Sequence, residues 1–135
     1  MNEIKGMKEA FEKAKVVFLT TYKDGKENSR QMTNFNTDPY TVMWFSTYRN
    51  TEKVKDIEMN SEVLVTFPSF NEGEFYEIAC KAEFASEGEV TSKWKWWYLY
   101  WHPHQRHRFW FPSGTYNPDR VIINVYPSSV RRVKG

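Results

Sequence analysis

The sequence predicts a mostly β fold with short helices, a small antiparallel barrel of roughly six to seven strands, and three observations carry that reading. Val16 to Tyr22 and Glu27 to Phe35 are joined by Lys23-Asp24-Gly25-Lys26, and Asp-Gly suits the positive φ angles of a type I′ turn, so the two segments form a hairpin. Thr41 to Phe67 reads as an apolar strand, a polar turn, a short helix and a second apolar strand. In Phe75 to Ser86, Tyr76, Ile78, Cys80, Ala82 and Phe84 alternate with more polar residues, the period of a long half-buried strand.

Taken in order, Ile4, Met7, Phe11 and Ala14 recur at helical spacing, which predicts an amphipathic helix from Asn2 to Lys15 covering the core. The first strand of the hairpin follows. Its second strand puts Asn28, Arg30, Met32 and Asn34 on one face and Ser29, Gln31, Thr33 and Phe35 on the other. Neither face is plainly apolar, so the strand borders either a wet ligand cleft or solvent. Asn36-Thr37-Asp38-Pro39 is a turn, and Thr41 to Thr47 is a third strand. A helix from Thr51 to Met59 turns Val54, Ile57 and the stem of Glu58 inward and stops at Asn60. Glu62 to Pro68 is a fourth strand, and the fifth, Phe75 to Ser86, is ended by Gly88. Thr91 to Trp101, crowded with rings, is a short helix or ordered loop that lids the barrel or meets a second copy. Pro103, Pro112, Gly114 and Pro118 keep the next stretch irregular, Val121 to Tyr126 is a sixth strand, and Val130 to Val133 a short last one.

The 135 residues suit a single domain over 1–135, and the absence of a signal-peptide core in MNEIKGMKEAFEKAKVV, or of any membrane-length apolar run, points to a soluble cytoplasmic protein. The charge of +2, from 19 basic and 17 acidic residues, is too balanced for electrostatics to hold a nucleic acid. Lys93, Lys95, Arg106 and Arg108 do interleave with tryptophans, but that is the weakest basis for a partner. One cysteine, Cys80, rules out an intrachain disulfide. Six tryptophans exceed what a small core needs, so some rings line a site or an interface.

Chemistry concentrates after the third strand. Ser46 and Thr47 end it, Asn50 or Thr51 caps the helix, and Lys53 lies in the helix's first turn, so hydroxyls, free backbone N–H groups and a cation converge on an anion-sized space. The same residues also suit an ordinary capped helix with a surface lysine. His102, His104 and His107 lie close together, but a metal site needs a further ligand, so they are read as a polar rim and no metal is expected. Neither a Ser-His-Asp set nor a phosphate-cradling Gly loop is present, and no catalytic residue is assigned.

Several phrases, in order, resemble one family. Ser29-Arg30-Gln31-Met32 closes the hairpin; Phe45-Ser46-Thr47 is followed by Thr51, Lys53, Ile57 and Asn60-Ser61; Trp110-Phe111-Pro112-Ser113-Gly114 precedes Asn117-Pro118. Together they are similar to the FMN-binding split-barrel family related to pyridoxamine 5′-phosphate oxidase, in particular its general stress protein 26-like branch. The resemblance implies a split β-barrel that binds FMN, with FAD, a deazaflavin or haem as lesser options, and acts as an oxidoreductase on an unidentified small molecule. It implies that Arg30 and Lys53 are the phosphate's cations and that Ser46, Thr47 and Thr51 supply hydroxyl or backbone donors. Gln31, Met32 and Thr33 would run along the flavin ring, with Trp110 nearby. It further implies a homodimer whose second subunit completes each site, with Tyr76 or Glu77 and the Trp94 to Trp110 region as candidates. A non-catalytic flavin- or haem-binding protein is the alternative within the same fold. Glu52 departs from the family pattern, which often has a non-acidic residue before the lysine, and a carboxylate there repels a bound phosphate unless it turns toward solvent or pairs with a neighbour such as Arg49. The chain also lacks the C-terminal Arg-x-His extension of true pyridoxamine phosphate oxidases, which argues against that reaction.

Overall fold

The computed structural model describes residues 3–101 and 119–134, with backbone alone for 95–101. Among the described residues nine elements follow one another: α1 (Met7–Lys13), β1 (Val16–Lys23), β2 (Lys26–Thr33), β3 (Met43–Tyr48), α2 (Glu52–Met59), β4 (Glu62–Pro68), β5 (Glu74–Phe84), α3 (Glu87–Trp101) and β6 (Arg120–Lys134). All six strands form one antiparallel sheet in the order β2-β1-β4-β5-β6-β3, curled into an open half-barrel. The edge strands are β2 and β3.

Alternation along each strand sends Val17, Leu19, Val63, Val65, Phe67, Ile78, Val121, Ile123 and Val125 to the concave side, where they pack as one core. Helix α1 covers that core with Met7, Ala10 and Phe11, and the Phe11 ring meets Phe67 edge-on at 5.1 Å. Burying a ring such as Phe11 contributes about 1.5–3 kcal/mol. The helix starts later than its apolar spacing suggests because Gly6 stands before it at φ 86°, outside helical space. A side chain at Gly6 would meet the Tyr76 hydroxyl at 3.3 Å in addition to that strained φ.

The hairpin forms as expected, with Asp24 at φ 50° and Gly25 at φ 75° between the paired Lys23 and Lys26. Three expectations are corrected. The separate sixth and seventh strands are one 15-residue strand, β6. Proline cannot donate to a ladder, but Pro127 is accommodated where the register with β5 slips: Ala79 faces Ser129 and Cys80 faces Pro127, so Ser128 is the extra residue, and its hydroxyl donates to Ala79 O at 2.9 Å. The fifth strand stops at Phe84, and Gly88 lies inside α3 rather than ending a strand. In α2 the inward residues are Val54, Ile57 and Asp56, whereas Glu58 is exposed.

Candidate functional site

The open side of the half-barrel lies between β2 and β3. Asn34 N donates to Lys15 O at 2.9 Å, and because backbone groups alternate along an antiparallel strand, Met32 and Arg30 also turn theirs toward β1. Those of Gln31 and Thr33 therefore lie on the free edge of β2. On β3, Trp44 N and O are engaged by the Asn36 side chain rather than by β6, so by the same alternation the backbone groups of Ser46 face the gap. An unpaired edge offers donors and acceptors to whatever lies against it.

A groove of about 220 Å³ occupies this gap. Strand β2 contributes Gln31, Met32 and Thr33, β3 contributes Ser46, Thr47 and Tyr48, and the helices add Lys53 and Trp94. Six of the residues singled out from the sequence thus meet there, although β2 and β3 are at opposite ends of the sheet order. The Lys53 ammonium reaches across to Thr47 Oγ1 at 2.9 Å. Glu52, one residue earlier, is exposed, as a phosphate at Lys53 would require. Thr51 precedes α2 as its N-cap, but its hydroxyl donates to Tyr48 O at 2.9 Å and not to the helix, and it does not line the groove. Trp110, the three histidines, Arg106 and Arg108 lie outside the described residues, and among those described no group of acidic, His or Cys side chains could hold a metal.

Arg30 stands immediately behind the groove, in a network the sequence did not reveal. Thr21 and Asn28 are paired across the hairpin and both face α2. Asp56, on the same side of α2 as Lys53 one turn earlier, presents its carboxylate to them. Thr21 Oγ1 donates to Asp56 Oδ2 at 2.7 Å and Asn28 Nδ2 donates to the same oxygen at 3.1 Å. Arg30 Nη1 donates to Thr21 Oγ1 at 2.7 Å, and Nη2 lies 3.7 Å from Asp56 Oδ2.

Burial alone would raise the Asp56 pKa, but the hydrogen bonds from Thr21 and Asn28 and the charges of Arg30 and Lys23 outweigh it, and the carboxyl is held below the ordinary aspartate value. Lys53 is pushed below the usual lysine range, first by burial and then by the charge of Arg30. The guanidinium and the ammonium are therefore close enough to repel, and one carboxylate against two cations leaves the cluster positive. An anion seated between them relieves that repulsion.

Aromatic groups bound the other side of the groove. Helix α3 packs on the convex face of the sheet through Val90 and Trp94 against Ile122. Trp94 Nε1 donates to Val121 O at 3.4 Å, its ring lies 5.2 Å from that of Tyr48, and the Arg120 guanidinium is 5.3 Å from the Trp94 ring. The same helix is tied down by Glu89, which accepts from Asn124 at 3.0 Å and pairs with Lys93 at 3.0 Å; these bonds hold its carboxyl below the ordinary glutamate value. Lys93 also sits 5.1 Å over the Trp44 ring, which stacks on Phe35 at 5.7 Å.

Sequence reasoning missed Asp56, Thr21, Asn28 and Tyr48 as site residues, and it expected Trp94 from a second copy, whereas Trp94 lines the groove of its own chain. Asp56 adjoins Ile57 and lies one turn beyond Lys53, a spacing that could have marked it, but a lone aspartate on a charged helix is ordinarily solvated. Tyr76, expected to reach a second copy, is only 3% exposed, packed on Phe67 and hydrogen-bonded to Lys5 O, so it is unsuited to that role. Glu77 is held in an ion pair with Arg131 at 2.9 Å.

Residues 2–131 match the family model of pyridoxamine 5′-phosphate oxidase-like proteins, and the chain belongs to that family. Among solved structures it is similar to the general stress protein 26 of Bacillus anthracis, with 21% identity over 94% of this chain and 93% of that one and a TM-score of 0.65. A Clostridium acetobutylicum protein related to general stress protein 26 aligns with 17% identity over 95% and 85% of the two chains, at a TM-score of 0.70. An FAD-binding protein of Mesorhizobium loti aligns with 14% identity over 98% and 94%, at a TM-score of 0.68. Comparison with curated proteins finds no significant match. No described helix is long and apolar enough to cross a membrane.

Proposed function

We propose that the protein binds FMN along the groove between β2 and β3 and acts as an oxidoreductase on a small molecule, as a homodimer. One observation carries the reading: Gln31, Met32, Thr33, Ser46, Thr47 and Lys53, drawn from three elements, line one groove with Arg30 behind its cationic end. The donor set fits a phosphorylated, planar, polar-edged ligand. Lys53, Thr47 and Arg30 would hold the phosphate, the open edge of β2 at Gln31 and Thr33 would meet the polar rim of the ring, and Met32, Tyr48 and Trp94 would offer apolar surface. FMN, when bound, would supply hydride or electron transfer, and the chain would supply position, polarity and access.

The groove's 220 Å³ is smaller than the roughly 300–1,000 Å³ of typical small-molecule sites. Further walls are therefore needed, which favours a second copy as a contributor. The FAD-binding relative from Mesorhizobium loti supports a flavin in this fold, and a phosphate held at Lys53 would be common to FMN and FAD.

Absorbance of the purified protein and titration with FMN test the reading. The expected result is a yellow protein, or uptake of FMN at micromolar concentration, followed by bleaching with NADH or NADPH and return of colour with an electron acceptor. Colourless protein with no titratable flavin would overturn it. Bound flavin that cannot be reduced and reoxidised would instead indicate a flavin-binding protein without turnover.

A further inference from the structure

Asp56 is a costly residue if its only role is to hold α2 in place. Its side chain is wholly buried, Oδ2 makes all of its contacts, and Oδ1 is buried with no hydrogen-bond partner among the described residues. An apolar side chain at the same point would seal the helix onto β1 and β2 without removing a carboxylate from water.

What the carboxylate adds is direction. A threonine hydroxyl has one proton, and Thr21 gives it to Asp56, so the hydroxyl meets Arg30 only as an acceptor. The relay runs one way, from Arg30 to Thr21 to Asp56, and it fixes the guanidinium from behind. Lys53 leaves the same side of α2 one turn before Asp56 and points into the groove at Thr47. The carboxylate that anchors one cation thus also fixes the helix that carries the other.

We propose that Asp56, acting through Thr21, is a positioning residue that holds Arg30 beside Lys53 as a two-cation receptor for a phosphate ester, and so sets the preference for a phosphorylated over an unphosphorylated ligand. The identity of the ligand rests on the flavin reading above, whereas the relay and the pairing of cations do not depend on it.

The test compares FMN, riboflavin and inorganic phosphate as titrants of the 135-residue chain, because a merely structural role moves FMN and riboflavin together. Thr21→Val keeps the shape and removes the hydroxyl. It should weaken FMN about 10-fold and riboflavin less than about 2-fold, and Thr21→Ser should restore the wild-type ratio. Thr21→Ala, which also removes the hydroxyl that links Arg30 to Asp56, should show the same selective loss and serves if Thr21→Val does not fold. An FMN-to-riboflavin ratio unchanged from wild type in the folded variants overturns the positioning role and leaves the flavin reading standing. If the wild type binds no flavin but binds inorganic phosphate, and the variants weaken that binding about 10-fold, the positioning role stands and the flavin reading falls. Wild-type protein that binds neither flavin nor phosphate overturns both.

Discussion

The gap between β2 and β3 is closed at one end and open at the other, although both ends begin with the same difficulty, a strand edge with unpaired backbone groups. At the closed end the chain answers it with two asparagines. Asn36 Oδ1 accepts from Trp44 N at 3.0 Å and its Nδ2 donates to Trp44 O at 3.0 Å, an amide standing in for a neighbouring strand. Asn34 holds Asn36 in turn, accepting from its backbone N and its Nδ2, and donates to Ala14 O at 2.9 Å beyond the end of α1. At the open end, Gln31, Thr33 and Ser46 meet a groove lined by Lys53 and Thr47. The contrast shows that the fold can close its own edge, and that the unclosed part carries charge.

The largest effect should come from the support of the open end. Asp56→Ala leaves Thr21 and Asn28 without their acceptor and Arg30 without its counter-charge, and should destabilise the protein by about 3 kcal/mol in urea unfolding. The same residue makes stability depend on acid. Its folded pKa lies below the unfolded value, so its contribution is complete above the ordinary aspartate value of about 3.9 and is lost as pH falls through the folded value. Asp56→Ala should flatten that part of the acid-unfolding curve, and an unchanged slope would remove Asp56 from the account.

Next comes the cation at the mouth. Lys53→Ala should weaken FMN roughly 10- to 100-fold, with riboflavin changed about 2-fold or less, since only FMN carries a phosphate. Without ligand the variant should be at least as stable as wild type, because a half-buried ammonium beside Arg30 is unfavourable to the fold. Equal losses for FMN and riboflavin would mean that Lys53 does not meet the phosphate.

The smallest effect is expected at the closed end, where Asn36→Ala should cost about 1–2 kcal/mol in thermal or urea unfolding. The FMN-to-riboflavin ratio should stay at the wild-type value. A selective loss of FMN there would show that the two ends are not separate.

Much of the frame was legible in the residues. Asp24-Gly25 specified the hairpin because few other pairs accept positive φ at two successive positions. The alternation in β5 named Tyr76, Ile78, Cys80 and Ala82 as its buried face because a period of two has a single geometric meaning, and it failed only at the strand's end, where Phe84 is exposed. That Val121 to Tyr126 and Val130 to Val133 are one strand was not legible, because the bulge that carries Pro127 within the ladder depends on the neighbouring strand. Asp56 misled because a carboxylate is read as solvated until the donors that neutralise it are known, and Thr21 and Asn28 come from a hairpin nearly thirty residues or more earlier in the chain.

The sequence by itself determined the antiparallel strands, the covering helix and the set of polar residues along β2, β3 and α2, since propensity, turn chemistry and periodicity are local. It also marked Lys53 as a cation beside hydroxyls. Only the tertiary structure decided that β2 and β3 become the two edges of one curled sheet, that Lys53 turns into the gap between them, and that Asp56 is buried against Thr21, Asn28 and Arg30. Those outcomes depend on strand order and on contacts between distant segments, and no local pattern encodes the partner that makes a buried charge tolerable.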